Sequence, residues 1–149
     1  MNENPLEITL THAETPPQLA ACLAVRRAVF TVERSIPAAI EQDEHDCLEA
    51  GYDHFLARVG QKDVAALRCH REGGNVVLQR FCVLAAFRRH GVGRAVLAQL
   101  ERQYAGQADR LVLDAKCEAE GFYTACGYRT VSGVFEEAGV KHVRMEKLL

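Results

Sequence analysis

Apolar and polar positions change period several times along the chain, and each change marks an element. Glu7-Ile8-Thr9-Leu10-Thr11 alternates and predicts a first strand. Thr15-Pro16-Pro17 predicts a helix start, with Thr15 as N-cap and proline in the first turn. That helix is expected to run to about Glu33. Leu19, Leu23 and Phe30 lie on one of its lines and Val25, Val29 and Val32 on another, a wide stripe suited to packing on a sheet. Pro37 ends it or opens a short second helix. Residues 41–54 have no clear period and many acids, and composition alone reads them as a solvated surface loop.

His54–Val59 and Val64–His70 predict two strands joined by a turn at Gly60-Gln61-Lys62-Asp63. A second turn at Glu72-Gly73-Gly74-Asn75 leads to an apolar run from Val76 to Leu84. Three consecutive strands with tight turns make an antiparallel meander. Val92, Val96, Leu97, Leu100 and Tyr104 then recur at helical spacing, with Gly106 as a C-terminal stop. Leu111-Val112-Leu113 reads as a short buried strand, parallel to the previous one by a right-handed crossover. A short helix over 119–125 ends at Gly127, and residues 128–131 and 142–146 form a closing pair of strands. The order β, α, βββ, α, β, α, ββ predicts one mixed α/β domain over residues 1–149. Its mixed sheet of about seven strands, a meander plus a parallel pair, is flanked by helices.

Composition narrows the class. A 48% hydrophobic content excludes a disordered chain, and a net charge of −2 gives no bulk attraction to nucleic acid or an anionic membrane. The first residues lack the basic and apolar pattern of a signal peptide, and no apolar run reaches membrane-spanning length. None of the six cysteines is arranged as C-x-x-C, so they read as reduced thiols of a cytoplasmic protein. A metal site from Asp43, His45, Asp46 and His54 has neither zinc-type nor calcium-loop spacing, and no metal is expected.

The turn from Arg88 to Arg94 holds two glycines and four basic side chains where a helix begins. Free N–H groups at a helix start attract anions, glycine permits close approach, and arginine donates directionally to phosphate oxygens. A kinase-type P-loop is excluded, because Gly93 is followed by Arg94-Ala95 and not by Lys-Ser/Thr. A dinucleotide fingerprint lacks its third glycine, with Val96 in that place, and does not follow an antiparallel meander.

Residues 80–97, and above all Arg88, Gly91 and Gly93, resemble the R/Q-x-x-G-x-G/A acetyl-CoA-binding motif of the GNAT superfamily of N-acetyltransferases. Ala119-Glu120-Gly121-Phe122-Tyr123-Thr124-Ala125-Cys126-Gly127-Tyr128 resembles that family's A-x-x-F-Y-x-x-x-G-F/Y pattern. Residues 25–33, Asp43, Asp46, His54 and residues 135–145 resemble a branch of small bacterial members, mostly without an assigned substrate. The resemblance covers nearly the whole chain. It implies a pyrophosphate cradle of main-chain N–H groups from about Arg89 to Arg94, through His90, Gly91, Val92 and Gly93. It also implies a pantetheine arm along Phe81, Cys82 and Val83, with Ala119 and Phe122 beside it. The two parallel strands are expected to splay after Val83 and near Leu113. Where many members carry asparagine, three residues before Ala119, this chain has Lys116, which puts one contact to the cofactor arm in doubt.

Transfer to an amine requires a neutral nitrogen and a proton for the departing thiolate. For a lysine-like amine of pKa ~10.4, exposing the lone pair at pH 7 costs about 4.6 kcal/mol. By the resemblance Tyr123 is the acid. Candidate bases or substrate contacts are Glu33, Asp46 and His142, with Asp43, His54, Arg68 and Arg80 as further substrate candidates. Arg68 and Arg80 lie on central strands, where an unpaired cation is costly, so they are expected to pair with acids of the 41–46 loop or with substrate. A cysteine nucleophile, Cys82 or Cys117, is unnecessary for direct transfer. The implied activity is acetyl-CoA-dependent acetylation of a small-molecule or protein amine by a monomer or homodimer. The alternative is a non-catalytic acyl-CoA-binding sensor.

Overall fold

The computed structural model describes residues 7–149. Helix α1 (Pro16–Arg26) starts at Thr15, whose hydroxyl accepts from the N–H of Gln18 while the Gln18 side chain accepts from the N–H of Thr15. This reciprocal cap satisfies donors that the helix itself cannot pair. The helix continues to Glu33 as expected, but Arg27–Glu33 is a π-helix, with the N–H of Arg34 bonded five residues back to Val29. The wider turn changes which side chains face inward. Val29 stays buried, whereas Val32, expected on the apolar stripe, is 75% exposed. Pro37 precedes a single turn of helix, α2 (Ala38–Glu41).

Strands β1 (Ile8–His12), β2 (Asp53–Val59), β3 (Lys62–Glu72) and β4 (Asn75–Val83) form an antiparallel meander with turns at Gly60-Gln61 and Gly73-Gly74. Helix α3 (Val92–Tyr104) crosses over, and β5 (Arg110–Lys116) returns parallel to β4. Helix α4 (Glu120–Ala125) follows. Among the described residues the sheet has eight strands, one more than expected: β6 (Arg129–Thr130), β7 (Phe135–Glu137) and β8 (Val140–Leu148) complete the order β1-β2-β3-β4-β5-β8-β6, with β7 paired to β8. Strand β8 inserts between β5 and β6, with β5 on one of its edges and both short closing strands on the other. The extra strand, β7 (Phe135–Glu137), turns into β8 through Ala138-Gly139. Its Phe-Glu-Glu sequence gave no period to read.

Two apolar layers hold the helices to the sheet. On one face Val92, Val96, Leu97, Leu100 and Tyr104 of α3 pack on Phe55, Leu67, Leu78, Leu111 and Leu113. Burying each such side chain contributes about 1.5–3 kcal/mol. On the other face Cys22, Val25 and Val29 meet Leu56, Ala66 and Cys82. Gln99 of α3 also clips the edge strand, accepting from the N–H of Leu10 at 3.3 Å and donating to the carbonyl of Ile8 at 2.6 Å.

The parallel pairing of β4 with β5 runs only from Asn75–Arg110 to Leu78–Leu113. The strands therefore part after Leu78, five residues earlier than the expected Val83. A bulge explains this. Arg68 pairs with Gln79 and Ala66 with Cys82, which leaves Arg80-Phe81 opposite Leu67 alone, and Arg80 adopts φ 56. An extra residue in a left-handed conformation bends a strand out of its ladder.

Candidate active site

Because β4 leaves β5 but stays paired with β3, residues 79–83 present one unpaired edge. The N–H of Leu84 bonds to Val64, and Cys82 pairs with Ala66. By strand alternation the main-chain groups of Phe81 and Val83 therefore point into the gap. A cleft of about 460 Å³ opens there. Its strand wall is Phe81, Cys82 and Val83, and its helical wall is Ala119, Phe122 and Tyr123. Arg88, Arg89, Gly91, Val92, Gly93 and Arg94 close one end. His90 is exposed and does not line it. Arg34, which sequence reasoning missed, does; the π-helix carries it over the rim.

Conformation at the closed end favours an anion. Arg89 (φ 64) and Gly91 (φ 82) are left-handed, which turns successive N–H groups toward one side. The first hydrogen bond of α3 is from Ala95 to Gly91 at 3.0 Å, so the N–H groups of Val92, Gly93 and Arg94 precede the ladder. At Gly93 an added Cβ would stand 3.1 Å from Phe122, so a side chain there would intrude on the helical wall.

Arg88 has a different place from the one expected of a phosphate donor. Its guanidinium holds both oxygens of Glu33 at 2.6 and 2.7 Å, and its Nε donates to the carbonyl of Val83 at 2.9 Å. The hydrogen bonds from Arg88 draw the carboxyl of Glu33 below its ordinary range. Arg88 thus ties the π-helix to the open strand edge across the cleft.

Tyr123 packs edge-on between Phe122 and Tyr128, at 5.1 and 5.8 Å between ring centres. Burial pushes its phenol up to about 12, and its hydroxyl has no hydrogen-bond partner among the described residues. Burial likewise pushes the thiol of Cys82 up to about 12, which leaves little thiolate. Cys117 is half-buried beyond the end of β5.

The residues expected to contact substrate or act as base divide into two groups. Asp43, Asp46, His54, Arg68 and Arg80 gather on the α1 side of the sheet around Arg26, which sequence reasoning missed because it reads as a polar position on a helix. Arg26 is wholly buried, bonded to Glu41 at 2.7 and 2.9 Å and to Asp46 at 2.7 and 2.9 Å. Arg68 holds Asp43 at 2.7 and 2.8 Å and shares Asp46 at 3.0 Å. Its guanidinium lies 5.1 Å above Tyr52, which stacks between His45 and His70. The 41–46 segment is therefore no solvated loop, since Glu41 and the side chain of Asp46 are each only about 4% exposed. The expected pairing of Arg68 and Arg80 with this loop holds for Arg68; Arg80 makes longer contacts.

Hydrogen bonds from Arg68 hold Asp43 well below the usual carboxylate range. Burial works to raise Asp46, but Arg26 and the N–H of Asp43 outweigh it and leave it lowered. His54 is buried with its Nε2 donating to the carbonyl of His45 at 3.1 Å, and burial lowers its pKa. His142 stands apart at the end of β8, opposite Lys116 of β5. Its Nδ1 donates to the carbonyl of Val140 at 2.8 Å, which leaves the lone pair on Nε2; Glu137 approaches that atom only to 4.0 Å.

A family model described as an acetyltransferase (GNAT) domain matches residues 12–149. The chain belongs to the GNAT acetyltransferase family. This acetyltransferase is 37% identical to YjcF of Bacillus subtilis, an uncharacterised N-acetyltransferase, over 91% of this chain and 96% of the other. It is 31% identical to protein ElaA of Escherichia coli over 93% of each chain. The crystal structure of ElaA superposes with a TM-score of 0.79, covering 95% of this chain and 98% of that one. An aminoglycoside 6'-N-acetyltransferase complexed with coenzyme A shares the fold at 15% identity and a TM-score of 0.71, over 95% and 96% of the two chains. GNAT enzymes use acetyl-CoA and transfer the acyl group to an amine. Among the described residues, no helix of this GNAT domain is long and apolar enough to cross a membrane.

Proposed function

We propose that this chain transfers the acetyl group of acetyl-CoA to an amine by direct attack, using the cleft between β4 and β5. The observation that carries the reading is the meeting of an open strand edge with the unpaired start of α3. An extended amide-bearing arm adds to Phe81–Val83 as a further strand would, and a pyrophosphate sits against the N–H groups of Val92, Gly93 and Arg94. Gly91 and Gly93 keep that approach free of side chains. Bound acetyl-CoA supplies an activated acyl group; the chain supplies position and proton transfer.

His142 is the base in this reading. Its Nε2 lone pair is free, whereas Asp43, Asp46 and Glu33 are each held by arginine and His54 is buried. Nε2 takes a proton from the amine as the new N–C bond forms. Tyr123 gives its phenolic proton to the sulfur as the C–S bond opens, so one proton leaves the amine and one reaches the thiolate. A phenol shifted to about 12 stays protonated at neutral pH and is ready to donate. Glu33 and Arg88 act as a clip that holds the rim. The six cysteines, all free, suit a reducing cytoplasm.

The test is release of free thiol from acetyl-CoA with a panel of amines. Release that needs an amine and is lost in His142→Gln with coenzyme A binding retained supports the assignment. Tight coenzyme A binding without release on any amine would instead favour a sensor.

A further inference from the structure

The α1 face of the sheet sets three arginines, Arg26, Arg68 and Arg80, against three carboxylates, Glu41, Asp43 and Asp46, but shares them unevenly. Arg26 and Arg68 make every short side-chain contact to the carboxylates of Glu41, Asp43 and Asp46 among the described residues. Arg80 donates from Nε to the main-chain carbonyl of Glu41 at 3.2 Å, and its approaches to the carboxylates of Glu41 and Asp43 are 3.6 and 3.7 Å. Burial lowers its pKa, and the Arg68 and Arg26 charges press the same way against the weaker pull of Glu41 and Asp43. About a third of its side chain remains exposed. It sits in β4 just before Phe81 and Cys82, in a left-handed conformation that non-glycine residues rarely adopt. Strained backbone persists where the surroundings over-determine it, commonly at working sites.

Two more cations have no carboxylate within 4 Å among the described residues. Arg34 lines the cleft, and Lys116 ends β5 within reach of the Arg34 charge. Burial and then the Arg34 charge lower the pKa of Lys116, and Glu118 counters only in part. Other acids nearby are engaged or distant: Glu33 is held by Arg88, Asp43 by Arg68, and Glu137 stands 4.0 Å from His142.

We propose that the acetyl acceptor is an amine that also carries a carboxylate, which docks on Arg80, with Arg34 and Lys116 adding positive charge. This rests on the transferase reading above and names its substrate class. The planar fork of Arg80 matches a carboxylate held by two parallel N–H donors. Polycationic amines meet like charge here and are disfavoured by the same residues.

The experiment measures thiol release with matched acceptors: amino acids, their decarboxylated amines, and aminoalkyl phosphates. Carboxylated acceptors are expected to exceed their decarboxylated partners in kcat/KM by about tenfold or more, the scale of one charge-assisted contact. Arg80→Gln collapses that ratio toward unity while the KM for acetyl-CoA stays within about twofold. Lys116→Met, at a half-buried strand end away from the ion-pair network, lowers the ratio in part and serves should Arg80→Gln not fold. Equal or better use of decarboxylated amines, or ratios unmoved by these variants, overturns the inference and leaves the transferase reading intact. A preference for phosphates overturns the carboxylate assignment. No release with any amine overturns the transferase reading and this inference with it.

Discussion

The two faces of the sheet are walled with different material. On the α3 and α4 side the polar contacts are main-chain groups: the N–H donors before Ala95, the open edge of β4, and glycines that keep them bare. On the α1 side they are long charged side chains drawn from four elements, interlocked at 2.7–3.0 Å around a buried arginine. A main-chain cradle depends on local conformation and tolerates much variation in side chains. An ion-pair network depends on partners far apart in sequence, and losing one member leaves charge uncompensated. The first kind of wall suits a constant donor, and the second can be redrawn for a particular acceptor.

The sharpest way to break this contrast is at Arg26. Arg26→Leu leaves Glu41 and part of the Asp46 charge buried without their partner, and breaking a buried pair costs about 3–5 kcal/mol. Urea unfolding is expected to show that loss, with coenzyme A affinity retained in the folded fraction; equal loss of both would mean that the walls are not separable. Next comes Gly91→Asp. A side chain in a left-handed turn (φ 82) beside the proposed pyrophosphate site adds strain and like charge. Affinity for coenzyme A should fall about 100-fold, or about 2.7 kcal/mol, by titration calorimetry, with an unchanged circular dichroism spectrum. Binding that survives would remove the cradle from the account.

Tyr123→Phe is expected to lower kcat by about 100-fold while coenzyme A binding stays within about twofold, since the ring remains and only the proton is lost. Because its phenol holds its proton to about 12, no alkaline decline below about pH 11 should come from this group. A smaller effect belongs to pH and to the α1 wall. His54 is lowered in the folded state, so the unfolded chain takes up its proton first. Stability from this group is present above the ordinary value of 6.5 and is lost as pH falls below it. Asp43 and Asp46, also lowered, add a second loss only below their ordinary 3.8. Thermal unfolding across that range should show two descending steps, the first absent in His54→Gln. The smallest change is expected from Glu33→Gln, which leaves no free base to lose: kcat within about threefold.

The same contrast explains what was legible in the sequence. Periodicity located the meander, α3 and the parallel strand, and the glycines and Tyr123 sat at recognisable spacing because short-range backbone geometry is written in short-range patterns. The acids of the charged wall read as a solvated loop because Glu41 and Asp46 carry no local signal of burial, nor does Arg26 on its helix; only the cost of unpaired cations at Arg68 and Arg80 on central strands points to a partner. The bulge at Arg80 was invisible for a related reason. Nothing about an arginine announces a positive φ, and so the strands were expected to part five residues too late. The π-helix escaped because valine and phenylalanine at these spacings fit either turn.

That π-helix has a consequence for how such a chain can change over generations. Its hydrogen bonds reach one residue further back than those of an α-helix, so a single insertion or deletion within Arg27–Glu33 is absorbed by winding or unwinding one turn. The sheet, the cradle and the ion pairs around Arg26 keep their register while Glu33 and Arg34 take a new heading and the Glu33–Arg88 clip is released. Length, and not only composition, becomes a heritable setting for what the acceptor meets at the door.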